Sequence, residues 1–142
     1  MSSPHHFRIH VTEMAPAAVA AKDGWRQMDI RFLINRDNAG AEEACFWRTV
    51  FPPGAAHERH AHPRAAEILY VISGTGAAGN EDGEVEVSAG SAIYVPAGAV
   101  HWFRNLDEAE PVEVVGVYAP AGSLEDAGYD YVGEITEEHR QL

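Results

Sequence analysis

Two glycine-bounded segments, residues 54–74 and 90–105, restrict the structure of this chain more than any other part of it. Together they hold four potential metal ligands: His60, His62, Glu67 and His101. The first two histidines lie two positions apart, and residues two apart on a strand project from the same face. Three imidazoles and one carboxylate that converge would form a site for a first-row transition metal. The segments therefore predict strands that carry a metal centre.

The spacing in both segments resembles the two sequence motifs of the cupin superfamily. The first reads glycine, five residues, His-x-His, four residues, Glu, six residues and glycine, from Gly54 to Gly74. The second reads glycine, five residues, Pro-x-Gly, two residues, His, three residues and Asn, from Gly90 to Asn105. Fifteen residues separate the motifs, as in compact microbial cupins. The superfamily includes dioxygenases, decarboxylases, isomerases, lyases, sugar-binding proteins and regulators. The resemblance therefore implies a fold and a metal, but no particular substrate.

The hydrophobic pattern elsewhere predicts short strands separated by turns. Residues 28–34 alternate polar and apolar side chains, residues 44–51 are aromatic and β-branched, and residues 67–72 are apolar on both faces. Further strands are predicted around EVEV, AIYV, HWFRN and residues 112–118. With the resemblance, this pattern predicts an all-β fold, a cupin-like antiparallel β-barrel (jelly roll). A short C-terminal helical turn is predicted to begin at Ser123 as its N-cap.

The length of 142 residues fits one domain. We divide it into an N-terminal arm (residues 1–24), the cupin β-barrel (residues 25–120) and a C-terminal tail (residues 121–142). The arm is interrupted by prolines. Two paths are open to it: it packs over a neighbouring subunit or lies along its own barrel. The tail is expected either to pack on the barrel or to fray from it.

Charge and composition exclude several classes of partner. The formal net charge is −12, from 22 acidic and 10 basic residues, and such a surface repels both nucleic acid and anionic lipid. No apolar run approaches the roughly 20 residues that span a bilayer, and the N-terminus lacks the apolar core of a signal peptide. The one cysteine, Cys45, excludes an intrachain disulfide. We therefore expect a cytoplasmic protein whose partner is a small-molecule substrate, without nucleic acid or membrane.

The expected cofactor is one divalent transition metal per chain. Mixed imidazole and carboxylate ligands suit Fe or Mn best here, with Ni, Co, Cu or Zn as alternatives. Strand alternation places three further side chains on the same faces as the ligands, and they are the predicted substrate pocket: Leu69, Val71 and Phe103. Because these side chains are apolar or aromatic, the pocket favours a neutral or aromatic organic molecule.

Three polar residues near the motifs are harder to assign. His57 lies three positions before His60, out of phase with the ligand pair, so we interpret it as a solvent-exposed loop residue. A supporting or proton-transfer role is the alternative. Arg31 and Arg48 fall inside predicted strands. Either could hold a substrate carboxylate, but an outward-facing arginine on a polar face is the preferred interpretation.

The exposed apolar residues predict a homodimer. Alternation sends Trp102 outward on one predicted strand and Ile68, Tyr70 and Ile72 outward on another. Large apolar side chains on an outer face usually indicate that the face is covered. Related cupins commonly cover such a surface by pairing subunits.

Three functions remain open from the sequence. The leading hypothesis is a metal-dependent enzyme, with an Fe(II)-type dioxygenase or oxidative cleavage as its main case. The nearest alternative is a redox-neutral lyase, isomerase, decarboxylase or cyclase on the same ligands. An alternative of a different class is a non-catalytic small-molecule binding or sensor protein.

Overall fold

The structure is a computed structural model that describes residues 7–142, so the first six residues of the predicted N-terminal arm lie outside it. The described part contains two one-turn α-helices, α1 (Arg36–Ala39) and α2 (Leu124–Ala127). Its strands are β1 (Trp25–Arg26), β2 (Asp29–Ile34), β3 (Cys45–Phe51), β4 (Ala56–Ala61), β5 (Ala66–Ser73), β6 (Thr75–Asn80), β7 (Gly83–Ser88), β8 (Ala92–Val95), β9 (His101–Asn105), β10 (Val112–Ala119) and β11 (Asp130–Gly133).

These strands form two antiparallel sheets. The first sheet has the order β1-β4-β9-β6-β7, and β11 also pairs with β4. The second sheet has the order β2-β3-β10-β5-β8. Neighbouring strands such as β5 and β10 are distant in sequence, as is usual in jelly-roll folds. The predicted all-β class is confirmed, and so is the helical turn, in which the Ser123 side chain accepts a hydrogen bond from the Asp126 amide.

The core lies between the two sheets and follows strand alternation. In β3 the buried residues are Cys45, Trp47, Thr49 and Phe51. In β5 they are Glu67, Leu69 and Val71, and in β10 they include Val112, Val114 and Tyr118. The opposite face of β5 is exposed, so this strand has one buried face rather than the two that its apolar pattern predicts.

The N-terminal arm, from residue 7 onward, lies along its own barrel. The Ala17 amide donates to the Ile30 carbonyl over 2.8 Å. Arg31 donates to the Met14 carbonyl over 3.1 Å and pairs with Asp29. Arg31 is therefore used to fasten the arm to β2.

The C-terminal tail packs on the outer face of the first sheet. Ile135 forms a small buried cluster with Trp102 and Ala56, and the Trp102 ring lies edge-on to His139. Trp102 faces outward, as alternation predicts, but its own chain covers it. The expectation that a partner subunit covers Trp102 is therefore wrong.

A close approach at Gly79 allows Trp102 to take this position. A Cβ atom at Gly79 would lie 1.9 Å from the indole ring, so any other residue would displace it. The indole can thus cross β6, and its Nε1 donates to Glu84 on β7 over 2.9 Å. None of the helices in the described part of the chain is long and apolar enough to cross a bilayer.

Candidate metal centre

Three histidines converge in the barrel interior at the junction of β4 and β9. His60 on β4 pairs directly with His101 on β9, and His62 follows β4 immediately. The potential ligand nitrogens of the three residues all lie within 4.8 Å of one another. All three side chains are buried. The convergence that the motif spacing predicts is therefore present.

The backbone orients each of these rings in the same way. The Nδ1 atom of His60 lies 2.6 Å from the Glu58 carbonyl oxygen, and that of His62 lies 2.8 Å from the Gly128 carbonyl oxygen. His101 Nδ1 lies 3.0 Å from the Ala99 carbonyl oxygen. A carbonyl oxygen only accepts, so each Nδ1 must carry the proton. In His60 and His62 this leaves Nε2 as the atom free to bind a metal, the arrangement usual for metal-binding histidines, while His101 Nε2 faces Glu67.

The surroundings of two of these Nε2 atoms show whether the site fits a metal. His60 Nε2 and His62 Nε2 are fully buried and have no hydrogen-bond partner. Buried polar atoms are rarely left in this state, since desolvation without a partner costs about 1–3 kcal/mol. A divalent cation bound by both nitrogens would remove that cost. The donor atoms therefore fit a transition-metal ion.

Glu67 lies on the opposite sheet and points at the histidines. Its Oε1 accepts a hydrogen bond from His101 Nε2 over 2.9 Å, and its Oε2 lies 3.7 Å from His62 Nε2. The carboxylate is buried, so without a cationic partner its charge would be costly. Glu67 can thus serve either as a ligand or as the partner of His101.

Burial keeps two of the three histidines neutral. It lowers the pKa of His60 well below its usual value of 6.5, with a further contribution from the neighbouring His57 and His101. Burial also lowers the pKa of His62, although Glu67 opposes the shift. For His101, burial acts to lower the pKa, but the hydrogen bond and charge of Glu67 outweigh it and raise the pKa. Neutral imidazoles at His60 and His62 are the form that binds metals.

His57 is not the exposed loop residue that its sequence position suggests. A β-bulge in β4 inserts one extra residue opposite β9, because His57 pairs with Phe103 while His60 pairs with His101. The bulge brings His57 onto the inner face, where its ring stacks on His60 at 3.5 Å between centroids. His57 is buried. The preferred interpretation of this residue is therefore wrong.

Two aromatic residues that the sequence did not single out hold His57 in place. Trp25 stacks on the His57 ring at 4.1 Å. Tyr129 donates its hydroxyl proton to the Asp23 carbonyl over 2.5 Å, and the same oxygen lies 3.0 Å from His57 Nε2. Because the Tyr129 proton is already committed, His57 Nε2 must be the donor in that contact. Both residues lie outside the motif segments, so spacing could not identify them.

A cavity of about 140 Å³ adjoins the histidines between the two sheets. Leu69 and Phe103 of the predicted substrate pocket line it, together with His57 and His60. Val71, two residues beyond Leu69 on β5, is fully buried in the core past the cavity.

Neither arginine from the predicted strands contributes to this cavity. Arg48 faces outward and donates to Glu113 over 2.6 Å, while Arg31 fastens the arm. Among the described residues, the cavity lining includes no lysine or arginine. A fixed positive charge for a substrate carboxylate is therefore missing from the lining within residues 7–142.

Known proteins resemble this chain in both sequence and fold. The chain is 33% identical to germin-like protein 3-1 of Oryza sativa subsp. japonica over 115 residues, which cover 78% of this chain and 51% of the relative. It is 28% identical to polyketide synthase CurC of Streptomyces cyaneus over 98 residues, which cover 68% of this chain and 64% of the relative. The chain spans 34% of the length of one germin-like relative and 51% of another.

Solved structures show the same architecture. A cupin-like protein from Thermotoga maritima superposes with a TM-score of 0.71 at 23% identity, over 87% of this chain and 90% of that one. The polyketide cyclase RemF from Streptomyces resistomycificus gives a TM-score of 0.69 at 23% identity, over 87% and 90%. The sequence model of the cupin domain matches residues 47–118, just over half of the chain. This match contains all three converging histidines, and the chain therefore belongs to the cupin family.

Proposed function

We propose that this cupin is a metal-dependent enzyme that acts on a small, uncharged organic molecule. The observation that carries the proposal is the pair of buried, partnerless Nε2 atoms of His60 and His62 beside a cavity. A structural role alone does not require an adjoining cavity, whereas a catalytic site does. His60, His62, His101 and Glu67 are the proposed ligands.

Iron or manganese is the proposed metal. Three imidazoles and one carboxylate suit several divalent transition metals, and the availability of each metal usually decides among them. His60, His62, His101 and Glu67 would hold the ion beside the cavity. When bound, the metal would supply Lewis-acid or redox chemistry next to the cavity.

The cavity lining favours a substrate without a negative charge. Buried carboxylates require a cationic or hydrogen-bonding partner, and the described lining offers no lysine or arginine. Apolar side chains such as Ile30, Leu69 and Phe103 instead favour an apolar or aromatic body.

The chain's own residues would orient the substrate and exclude water. Phe51 and Phe103 pack against each other at 4.8 Å and close one side of the cavity. His57 lines the cavity, and its Nε2 proton is held by Tyr129. We assign His57 a positioning role, because its ring stacks on His60 and fixes the plane of that imidazole.

An oxidative reaction of the dioxygenase type is the leading case. A redox-neutral cyclisation is the second candidate, since two relatives of similar size bear names of polyketide synthesis and cyclisation. The two cases differ in whether turnover requires dioxygen.

The test begins with elemental analysis of protein purified without added metal. We expect about one transition-metal ion per chain. The loaded protein is then incubated with a panel of neutral aromatic and enolisable compounds, in air and under argon. Turnover only in air, with oxygen uptake at an electrode, supports the oxidative case, and equal turnover under argon supports the redox-neutral one. Binding without turnover in both atmospheres would instead favour the non-catalytic alternative. A protein that takes up no metal would overturn the proposal.

We also infer that the protein is a homodimer through the outer face of the second sheet. Four large apolar side chains on β5 and β8 remain 43–66% exposed: Ile68, Tyr70, Ile72 and Tyr94. Ile68 and Tyr94 lie opposite each other on paired strands, so the group forms one patch. Covering it would remove apolar surface from water, and a second copy presents the same patch.

A further inference from the structure

Two residues that line the cavity each carry a buried polar atom without a hydrogen-bond partner. Trp47 Nε1 and Thr49 Oγ1 are buried, and neither makes a hydrogen bond. Both residues line the cavity. Leaving such a group unpaired costs about 1–3 kcal/mol, so partnerless polar atoms beside a cavity indicate groups that await a ligand or solvent.

Strand geometry places this pair on one wall, opposite the histidines. Trp47 and Thr49 are two residues apart on β3 and both face inward. Strand β3 belongs to the second sheet, whereas His60 and His101 belong to the first. Facing sheets lie about 10 Å apart. A ligand held at the histidines could therefore reach the β3 wall with its far end.

The position of the Trp47 indole depends on a glycine in the neighbouring strand. Gly116 on β10 lies opposite Trp47, and a Cβ atom there would come within 2.4 Å of the ring. Because Gly116 has no side chain, the indole can lie over β10 at this position, where Gly116 also pairs with Leu69, itself a lining residue. The tryptophan thus forms a flat apolar wall that carries one N–H donor.

The size of the cavity limits the ligand that this wall can receive. An apolar cavity of about 150 Å³ accommodates benzene, and this cavity measures about 140 Å³. A molecule built on one six-membered ring, or a chain of similar bulk, therefore matches its size. Indole N–H only donates, and a hydroxyl donates or accepts. The complementary group on the ligand is an oxygen acceptor.

We propose that Trp47 and Thr49 form a specificity site that binds a carbonyl or hydroxyl oxygen on the substrate, at the end remote from the histidines. This inference rests on the proposed function, and it narrows the substrate class to single-ring or similarly small molecules that carry such an oxygen. Trp47 Nε1 donates to that oxygen, and the Thr49 hydroxyl is its second partner. A solvent molecule occupying the same place would be displaced on binding.

The test compares two probes that differ only in the oxygen. Acetophenone carries a carbonyl, and α-methylstyrene has the same shape with a methylene group in its place. Affinities are measured by equilibrium dialysis for wild type, Thr49→Val, Trp47→Phe and Thr49→Ser. Ile30→Val, an apolar change elsewhere in the lining, is the matched control for cavity shape. Each protein is assayed after EDTA treatment and again after loading with Mn²⁺.

We expect Thr49→Val and Trp47→Phe each to weaken acetophenone binding by about tenfold, the usual effect of one lost hydrogen bond. Binding of α-methylstyrene should change by less than about threefold. Thr49→Ser keeps the hydroxyl and should retain most of the acetophenone affinity. Ile30→Val should affect both probes alike. Thr49→Val should also leave the Tm equal or higher, because it replaces a partnerless hydroxyl by a methyl group of the same shape.

Several results would overturn the specificity site. One is an equal loss of affinity for both probes in Thr49→Val and Trp47→Phe. The others are an unchanged affinity for both probes in these variants, and no detectable binding of either probe to wild type. A Tm that falls by several degrees in Thr49→Val would show that the hydroxyl has a structural partner, which also contradicts the inference. The metal proposal can fail without the specificity site. In that case wild type takes up no Mn²⁺ but still binds acetophenone more tightly than α-methylstyrene.

Discussion

Each of the three histidines contributes one nitrogen to the candidate metal centre, and backbone carbonyls hold all three rings. Removing a partner that merely orients a metal ligand typically lowers affinity 10- to 100-fold. His60→Ala or His101→Ala should therefore lower metal affinity by at least about 100-fold. Metal content after dialysis and a competition titration measure the effect.

His57→Phe is the control for these variants. It keeps a flat ring against His60 while removing a nitrogen that is not among the converging ligand atoms. We expect this variant to retain about one metal ion per chain. Wild-type metal content in His60→Ala and His101→Ala would show that the ligand assignment is wrong.

The negative charge of Glu67 is expected to contribute to metal binding. Glu67→Gln keeps the shape of the side chain and an oxygen acceptor but removes the negative charge. If Glu67 is a ligand, affinity for a dication should fall and turnover should be lost, as measured by calorimetric titration and product analysis. Glu86→Gln, a change of the same type at an exposed site on β7, should leave both unchanged. Equal affinities in wild type and Glu67→Gln would restrict Glu67 to its contact with His101.

Among the elements, β9 determines which side chains face the metal. His101 and Phe103 lie on the inner face, and Arg104 lies on the outer face beside Glu84. Phe103→Ala should keep the metal, enlarge the cavity and cost about 3 kcal/mol of unfolding free energy, the low end for a buried phenylalanine because it borders a cavity. Arg104→Gln should keep both the metal and turnover. Urea titrations and metal analysis test the pair, and loss of metal in Arg104→Gln alone would show that β9 runs in the opposite phase.

Glu84 joins its own strand β7 to β9 and to the C-terminal tail that covers the first sheet. It accepts hydrogen bonds from Arg104, Trp102 and the Gln141 amide. Burial acts to raise the pKa of Glu84, but these donors outweigh it and hold the pKa below the ordinary value of 4.5. A lowered carboxyl pKa stabilises the fold above the ordinary pKa, and that stabilisation is lost as the pH falls through the lowered value.

Glu84→Gln should therefore destabilise the protein at neutral pH but not in acid. We expect a loss of about 1.5–3 kcal/mol at pH 7, the usual range for hydrogen bonds to a charged group. The difference from wild type should shrink as the pH falls below 4.5, where the carboxylate of the unfolded chain becomes protonated first, and should vanish below the lowered pKa of the folded state. Urea unfolding at several pH values measures this. A difference that stays constant down to pH 3 would contradict the assigned role of the charge.

For the whole molecule, the exposed patch on β5 and β8 predicts association. Light scattering at micromolar concentration should give twice the chain mass of 15.4 kDa. Ile68→Glu introduces a charge into the patch and should yield monomers, because burying an unpaired carboxylate is costly. Val85→Glu, at a site on the other sheet that is 60% exposed, should remain dimeric. A wild-type mass of one chain would refute the homodimer.

The sequence alone predicted the fold class and the meeting of the three histidines. The fold class and the pairing of His60 with His62 depend on local patterns, namely alternation along each strand and turn residues between strands, whereas the approach of His101 is what the resemblance to the cupin motifs implies. The helical turn after Ser123 follows from capping chemistry, which is also local. The strand pattern, the His60–His62 pair and the helical turn involve neighbours in the chain, so a linear pattern contains them.

Tertiary structure decided the features that depend on distant pairing. A β-bulge against β9 brought His57 inward, although its position in the sequence places it out of phase with His60. Glu84 and Gln141 meet although they lie 57 positions apart in the sequence, so the tail that buries Trp102 could not be deduced from alternation. That Trp47 Nε1 and Thr49 Oγ1 lack hydrogen-bond partners follows only from the positions of all their neighbours in the folded structure. Alternation fixes which way a side chain points, but what it meets there depends on contacts between residues far apart in the chain.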